Sequence, residues 1–171
     1  MDSLKKQLEL VRFERAIEYV ANNAHGLKHL NAQELAHINK LLNASEEEPW
    51  RAEAAVINLP SGRKESLSIL SNPMIQVRDI ISTARERARE GEIVDAATDL
   101  YSQLVLHHFF KDGNRRSAVA AVYWLLLERD IHIPAIGLLE LGIGDLRIKG
   151  QLEILKNLIQ NTIAIAESRK R

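Results

Sequence analysis

Leu10, Phe13, Ile17 and Val20 recur at the spacing of one helix face, with charges between them, and predict an amphipathic helix over about 3–22. His25-Gly26 ends it. Asn31 followed by Glu34 is a capping-box-like start for a second helix, Ala32 to Leu42. The pattern then breaks: residues 43–62 hold Glu46, Glu47 and Glu48 with Pro49, Pro60 and Gly62, which are loop signals. Inside that loop, Trp50 to Asn58 reads as a short extended segment or hairpin. Helical spacing resumes at Pro73, a first-turn proline, and runs to Glu90, where Gly91 stops it. Its charges, Arg85, Glu86, Arg87, Arg89 and Glu90, read as a solvated face. A further helix spans Ile93 to Phe109 or Phe110, and after the polar break Lys111-Asp-Gly-Asn114 another runs from Arg115 to Glu128. Its segment Ala118 to Leu127 is apolar on every side, the mark of a buried central helix. Asp130 to Gly144 is a connector with Pro134 and three glycines. Asp145 caps a last helix carrying Leu152, Leu155, Ile159 and Ile163, which closes on Arg169, Lys170 and Arg171. The expected fold is all-α, about seven helices with one small extended excursion.

Composition narrows what such a fold can do. A length of 171 residues suits one domain, and 46% hydrophobic with 27% charged residues is ordinary globular composition. Lys+Arg and Asp+Glu are both 23, so net charge gives no whole-chain grip on nucleic acid or an anionic membrane, and neither is an expected partner. Without cysteine there is no disulfide, no Cys-ligated zinc and no thiol nucleophile. The ten-residue apolar run 118–127 is far short of a bilayer span, and the charged start lacks the apolar core of a signal peptide. A cytoplasmic protein is expected.

Candidate chemistry is gathered in His107-His-Phe-Phe-Lys-Asp-Gly-Asn-Arg-Arg-Ser-Ala118, between two strong helices. Asp-Gly-Asn is turn chemistry, and the N–H groups that follow open a helix whose N-terminus attracts anions. Arg115 and Arg116 add charge suited to phosphate oxygens. Asp112 suits Mg²⁺, which commonly binds one or two carboxylates plus substrate phosphates. A histidine beside such a nest is available as a general base. Taken singly, each feature has a bland reading: a helix-end histidine, a turn, two solvated arginines. Periodicity leaves the histidine open, since His107 and His108 each share a face with Leu100 and Leu104. The ordered set describes phosphate-ester or phosphoanhydride chemistry on a nucleotide.

The segment resembles the signature of the Fic/Doc (Fido) family, HxFx[D/E]GNxR in the Fic branch and HxFxxxNKR in the Doc branch. The family positions fall on His108, Phe110, Asp112, Gly113, Asn114 and Arg116, six matches at fixed spacing. The resemblance extends from Leu30 to Pro134. It implies one Fido-type domain over 1–171, with N-terminal helices at 1–45, a flap at 46–62, a core at 73–134 holding the motif at 108–116, and a C-terminal helix at 145–171. It further implies a transferase that moves AMP from ATP to a hydroxyl of a target protein's Ser, Thr or Tyr. His108 would be the catalytic base and Asp112 the Mg²⁺ carboxylate. Gly113, Asn114, Arg115 and Arg116 would bind nucleotide phosphates, Phe110 would pack the loop, and Trp50, Arg51, Val56 and Ile57 would form a target-docking flap. The Doc branch implies an alternative, a kinase toxin that transfers the γ-phosphate, with an antitoxin protein as its partner; a non-catalytic nucleotide- or protein-binding module is a further reading.

Two departures separate the chain from the fuller Fic pattern GNGRxxR. Its second Gly is Arg115 here, and its second Arg is Val119, which removes a charge expected on the outer phosphates. Restoring that pattern with Arg115→Gly and Val119→Arg is expected to increase AMP transfer. The family's self-inhibitory pattern [S/T]xxxE[G/N] is not matched: Arg87 follows Ser82 and Glu86, and Thr162 to Glu167 is one residue too long.

Overall fold

The computed structural model describes residues 2–24, 28–59, 61–139 and 145–170. In chain order these form α1 (Asp2–Asn23), α2 (Ala32–Asn43), β1 (Ala55–Asn58), β2 (Lys64–Leu67), α3 (Pro73–Arg89), α4 (Ile93–His107), α5 (Asn114–Glu128), α6 (Ala135–Leu139) and α7 (Gln151–Ser168). The all-round apolar helix is α5, and it is the centre: Ala118 to Val122 and Trp124 to Leu127 are all buried. Helices α1, α2, α4 and α6 pack on it, while α3 and α7 pack on α4 as an outer layer. An amphipathic helix can bury only one face, so a helix without a polar face must be the one the others surround.

Local chemistry explains the helix ends. Asn31 Oδ1 accepts the Glu34 N–H at 2.9 Å and starts α2. Glu34 does not return the bond to the cap; its carboxylate accepts the Tyr19 hydroxyl at 2.7 Å and pairs with Lys28, tying α2 to α1. Helix α4 stops at His107, short of Phe109, because His108 turns into the left-handed region at φ 49°. Asp145 is not the cap of α7, which begins at Gln151 after Gly150. Its Oδ1 instead accepts the Arg147 N–H at 3.0 Å in the preceding turn. The connector expected after Asp130 contains the short helix α6. The predicted stop at His25-Gly26 and two of the connector glycines, Gly142 and Gly144, lie outside the described residues.

The extended excursion is an antiparallel hairpin, with Ala55 opposite Leu67 and Asn58 opposite Lys64. Gly62, at φ 85°, closes its turn, where an L side chain is disfavoured. A second pairing precedes it: Arg51 N–H donates to Phe109 O at 2.8 Å and Lys111 N–H to Pro49 O at 3.0 Å. Residues 49–51 thus run antiparallel to 109–111, and Trp50 stacks on Phe110 with ring centroids 4.8 Å apart. Among the described residues, no helix is long and apolar enough to cross a membrane.

Candidate active site

The site begins where two buried helices meet end to end. Helix α4 delivers His108 at its C-cap, and five residues later Gly113 caps α5. Gly113 sits at φ 73°, and a β-carbon there would lie 3.3 Å from both Asn39 Nδ2 and Asn43 Oδ1. Conformation and space both demand glycine. Those asparagines, on α2, clamp the turn: Asn39 Nδ2 donates to Asp112 O at 2.8 Å and to Ser117 Oγ at 2.9 Å, and Asn43 Nδ2 reaches Asn39 Oδ1 at 3.0 Å. The uncapped start of α5 therefore opens beside His108 with its turn held rigidly.

His108 and His107 part company at this point. His107 is exposed and stacks on Phe109, with its Nδ1 on Gln103 O at 2.8 Å. His108 is half-buried and lines two adjoining cavities, of about 250 Å³ over the nest and about 170 Å³ toward the hairpin, which share Val105, His108 and Arg115. Its Nδ1 lies 3.1 Å from Val105 O. A carbonyl can only accept, so Nδ1 carries the proton and the neutral ring keeps its lone pair on Nε2. Burial pushes the imidazole below its usual 6.5. The Arg51 and Arg147 charges lower it further, against the Val105 bond and Asp112, which raise it. The balance favours the neutral ring, the form a base requires, more than in a free imidazole.

The predicted phosphate and metal residues, Asp112 to Arg116, all line the cavity over the nest and differ in what else they engage. Asp112 has its side chain 82% exposed beside the nest, with Oδ1 accepting the Gly113 N–H at 2.7 Å. Among the described residues no cluster of three ligating side chains exists, so the donor set fits a Mg²⁺ that brings phosphates with it rather than an all-protein metal cage. Arg116 lies under the turn, its Nη2 3.9 Å from Asp112 Oδ1 and its Nη1 3.4 Å from Leu42 O. Arg115 lines both cavities and hydrogen-bonds the buried Tyr101 hydroxyl, whose pKa is raised by burial. Asn114 lines the nest cavity while its side chain holds the loop: its Oδ1 accepts the Phe110 N–H and its Nδ2 donates to Phe110 O, both at 2.9 Å. Val119 is 0% exposed, so the missing second arginine could not simply be put back there.

The flap needs a correction. Trp50 and Arg51 are buried against the motif loop and offer no side-chain surface to a target. Val56, 65% exposed, stays on the outer face of the hairpin, while the half-buried Ile57 on the opposite face lines the hairpin-side cavity. Sequence reading missed Asn39, Asn43, Tyr101, Asp145 and Arg147. Arg147 donates to Leu106 O at 3.1 Å and pairs with Glu65 of β2, joining the α4 C-terminus to the hairpin. Asp145, whose Oδ2 is buried with no hydrogen-bond partner among the described residues, lines the hairpin-side cavity. Nothing in the local pattern marks these residues: Asn39, Asn43, Asp145 and Arg147 are distant in sequence and only folding brings them to the motif, while Tyr101 sits on α4 itself and reads as one more core aromatic.

Solved structures share this architecture. A Fic domain containing signaling protein from Bacteroides thetaiotaomicron VPI-5482 matches with a TM-score of 0.66 at 15% identity, over 95% of this chain and 72% of that one. IbpAFic2 covalently tethered to Cdc42 matches at 0.62 and 22% identity, over 96% of this chain and 56% of that one. An IbpAFic2 variant in complex with adenylylated Cdc42 matches at 0.62 and 20% identity, over 96% and 55%. The chain thus spans little more than half the length of the IbpAFic2 structures. No family model and no curated protein matches the sequence. The chain has the fold of Fic domains, as the motif implied.

Proposed function

We propose that the chain transfers AMP from ATP to a hydroxyl side chain of a target protein. The observation that carries this reading is the Nδ1–Val105 bond, which leaves His108 neutral with Nε2 as a base next to an anion-binding helix start. The fold likeness to an IbpAFic2 variant in complex with adenylylated Cdc42 supports it. His108 Nε2 takes the proton of the target hydroxyl as its oxygen bonds the α-phosphorus. The bond from that phosphorus to the β-bridging oxygen breaks, and pyrophosphate leaves. The backbone of Gly113 and of the α5 start, with Arg116, receives the phosphate charge that develops. Mg²⁺, when bound, neutralises phosphate charge, with Asp112 as its protein ligand. The hairpin is the element offered to the target, with Val56 on its outer face and Ile57 on the face toward the His108 cavity. In this reading the whole chain acts as one domain, and ATP as donor fits a cytoplasmic setting.

One observation favours a second reading. Buried Val119 and the engagement of Arg115 with Tyr101 leave the outer phosphates without the arginine of the Fic pattern. A Doc-like pose, with γ-phosphate transfer and an antitoxin partner, would not need it. ATP labelled on the α- or the γ-phosphate separates the two, with Mg²⁺ and candidate protein targets. α-Label with the mass of one AMP on the target is the expected result. γ-Label would make the chain a kinase, and ATP binding without transfer would make it a binding module.

A further inference from the structure

Arg51 is 5% exposed, and among the described residues no carboxylate pairs with it. A charge in that position is costly unless its donors are met, and here carbonyl oxygens meet them. Nε donates to His108 O at 2.7 Å and Nη2 to His107 O at 3.3 Å, the last carbonyls of α4 and its cap. Nη1 donates to Glu53 O at 2.7 Å and Ser68 O at 2.9 Å, which lie just before β1 and just after β2. One planar fork therefore grips the end of the catalytic helix and both roots of the hairpin. It also holds the carbonyl of His108 itself, whose left-handed φ of 49° is unfavourable for a residue with a β-carbon. Arg51 lines none of the cavities around the nest.

We propose that Arg51 is a positioning residue that locks His108 to the root of the hairpin, so that the state of the hairpin sets the tautomer of the histidine ring. The inference rests on reading His108 as the base. An unrestrained neutral imidazole favours the proton on Nε2, where it cannot accept another. The bond from Nδ1 to Val105 O reverses that choice, and it needs the left-handed turn that Arg51 fastens. A partner seated on the hairpin would stiffen its roots, and with them the Nδ1–H form of His108. Lysine keeps the charge but cannot reach four carbonyls from one ammonium in this geometry.

The test is ¹⁵N NMR of the histidine rings at about pH 8, where imidazoles are neutral. The His108 signal is assigned by its loss in His108→Ala. The unmodified protein should show His108 as the Nδ1–H tautomer. Arg51→Lys should lower that fraction roughly twofold or more, although the positive charge remains. Gly62→Val strains the exposed hairpin turn without touching the core. It should move His108 in the same direction while hydrogen-exchange protection in α5 stays unchanged, and it keeps the test decisive where Arg51→Lys does not fold. An unchanged His108 tautomer in Gly62→Val, with hairpin amides exchanging faster, would overturn the proposal. The ring measurement needs no turnover. Absence of AMP transfer by the unmodified protein would instead count against the base reading and leave the coupling standing.

Discussion

Asn114→Ala separates two jobs for the motif asparagine. Its side chain closes a two-bond ring with the backbone of Phe110, a residue 2% exposed. Phe110 needs that ring because its neighbour Trp50 opposes it as the pair whose N–H and C=O point away from each other. Alanine leaves one buried N–H and one buried C=O without partners, at about 1–3 kcal/mol each, hence roughly 2–6 kcal/mol in all. For a chain of this length each kcal/mol moves Tm by about 2–4 °C, so the expected fall is roughly 5–20 °C. Thermal unfolding of the nucleotide-free protein, followed by circular dichroism, reads it directly. Asn114→Asp should also be destabilised, because one carboxylate oxygen would face the Phe110 carbonyl where an amide now donates. A phosphate-binding role alone would leave the nucleotide-free Tm in place and weaken only ATP binding. A nucleotide-free Tm within about 2 °C of the unmodified protein would refute the geometry argued here.

His108→Ala should cut transfer by about 10²–10⁴-fold and leave ATP affinity by calorimetry within a few-fold, while His107→Ala should do neither; the reverse order would assign the base to the wrong histidine. The acid limb of the pH–rate profile should lie below 6.5, because burial and two arginines depress His108 and the neutral base is lost only as pH falls through its lowered pKa. The same depression makes the fold lose stability as pH drops below 6.5, since the unfolded chain then takes up the proton more readily; a limb at or above 6.5 contradicts both. Val119→Arg places a guanidinium in a fully buried core position and should prevent soluble folding, so Arg115→Gly with Val119→Arg should not raise AMP transfer; a soluble, more active double variant would show that the position opens to the site.

What the sequence determined by itself was whatever depends on near neighbours in the chain. Apolar spacing marked α1 and α7, a capping signal marked α2, and the uninterrupted apolar run made α5 the centre, because a helix without a polar face has nowhere else to go. The order of His108, Asp112, Gly113 and Arg116 was legible for the same reason, since a helix end, a turn and a helix start are local events. Folding decided which of two adjacent histidines meets the cavity: a single left-handed residue ends α4 early and rotates His108 inward, and periodicity carries no trace of that turn. It made Trp50, Arg51 and Asn114 fastenings of the loop, because Arg51 and Asn114 bond backbone groups that have no side-chain signature and Trp50 stacks on the Phe110 ring. And it alone brought Asn39 and Arg147 to the motif, where buried polar groups must find partners across the fold and hydrogen bonding, not sequence distance, selects them.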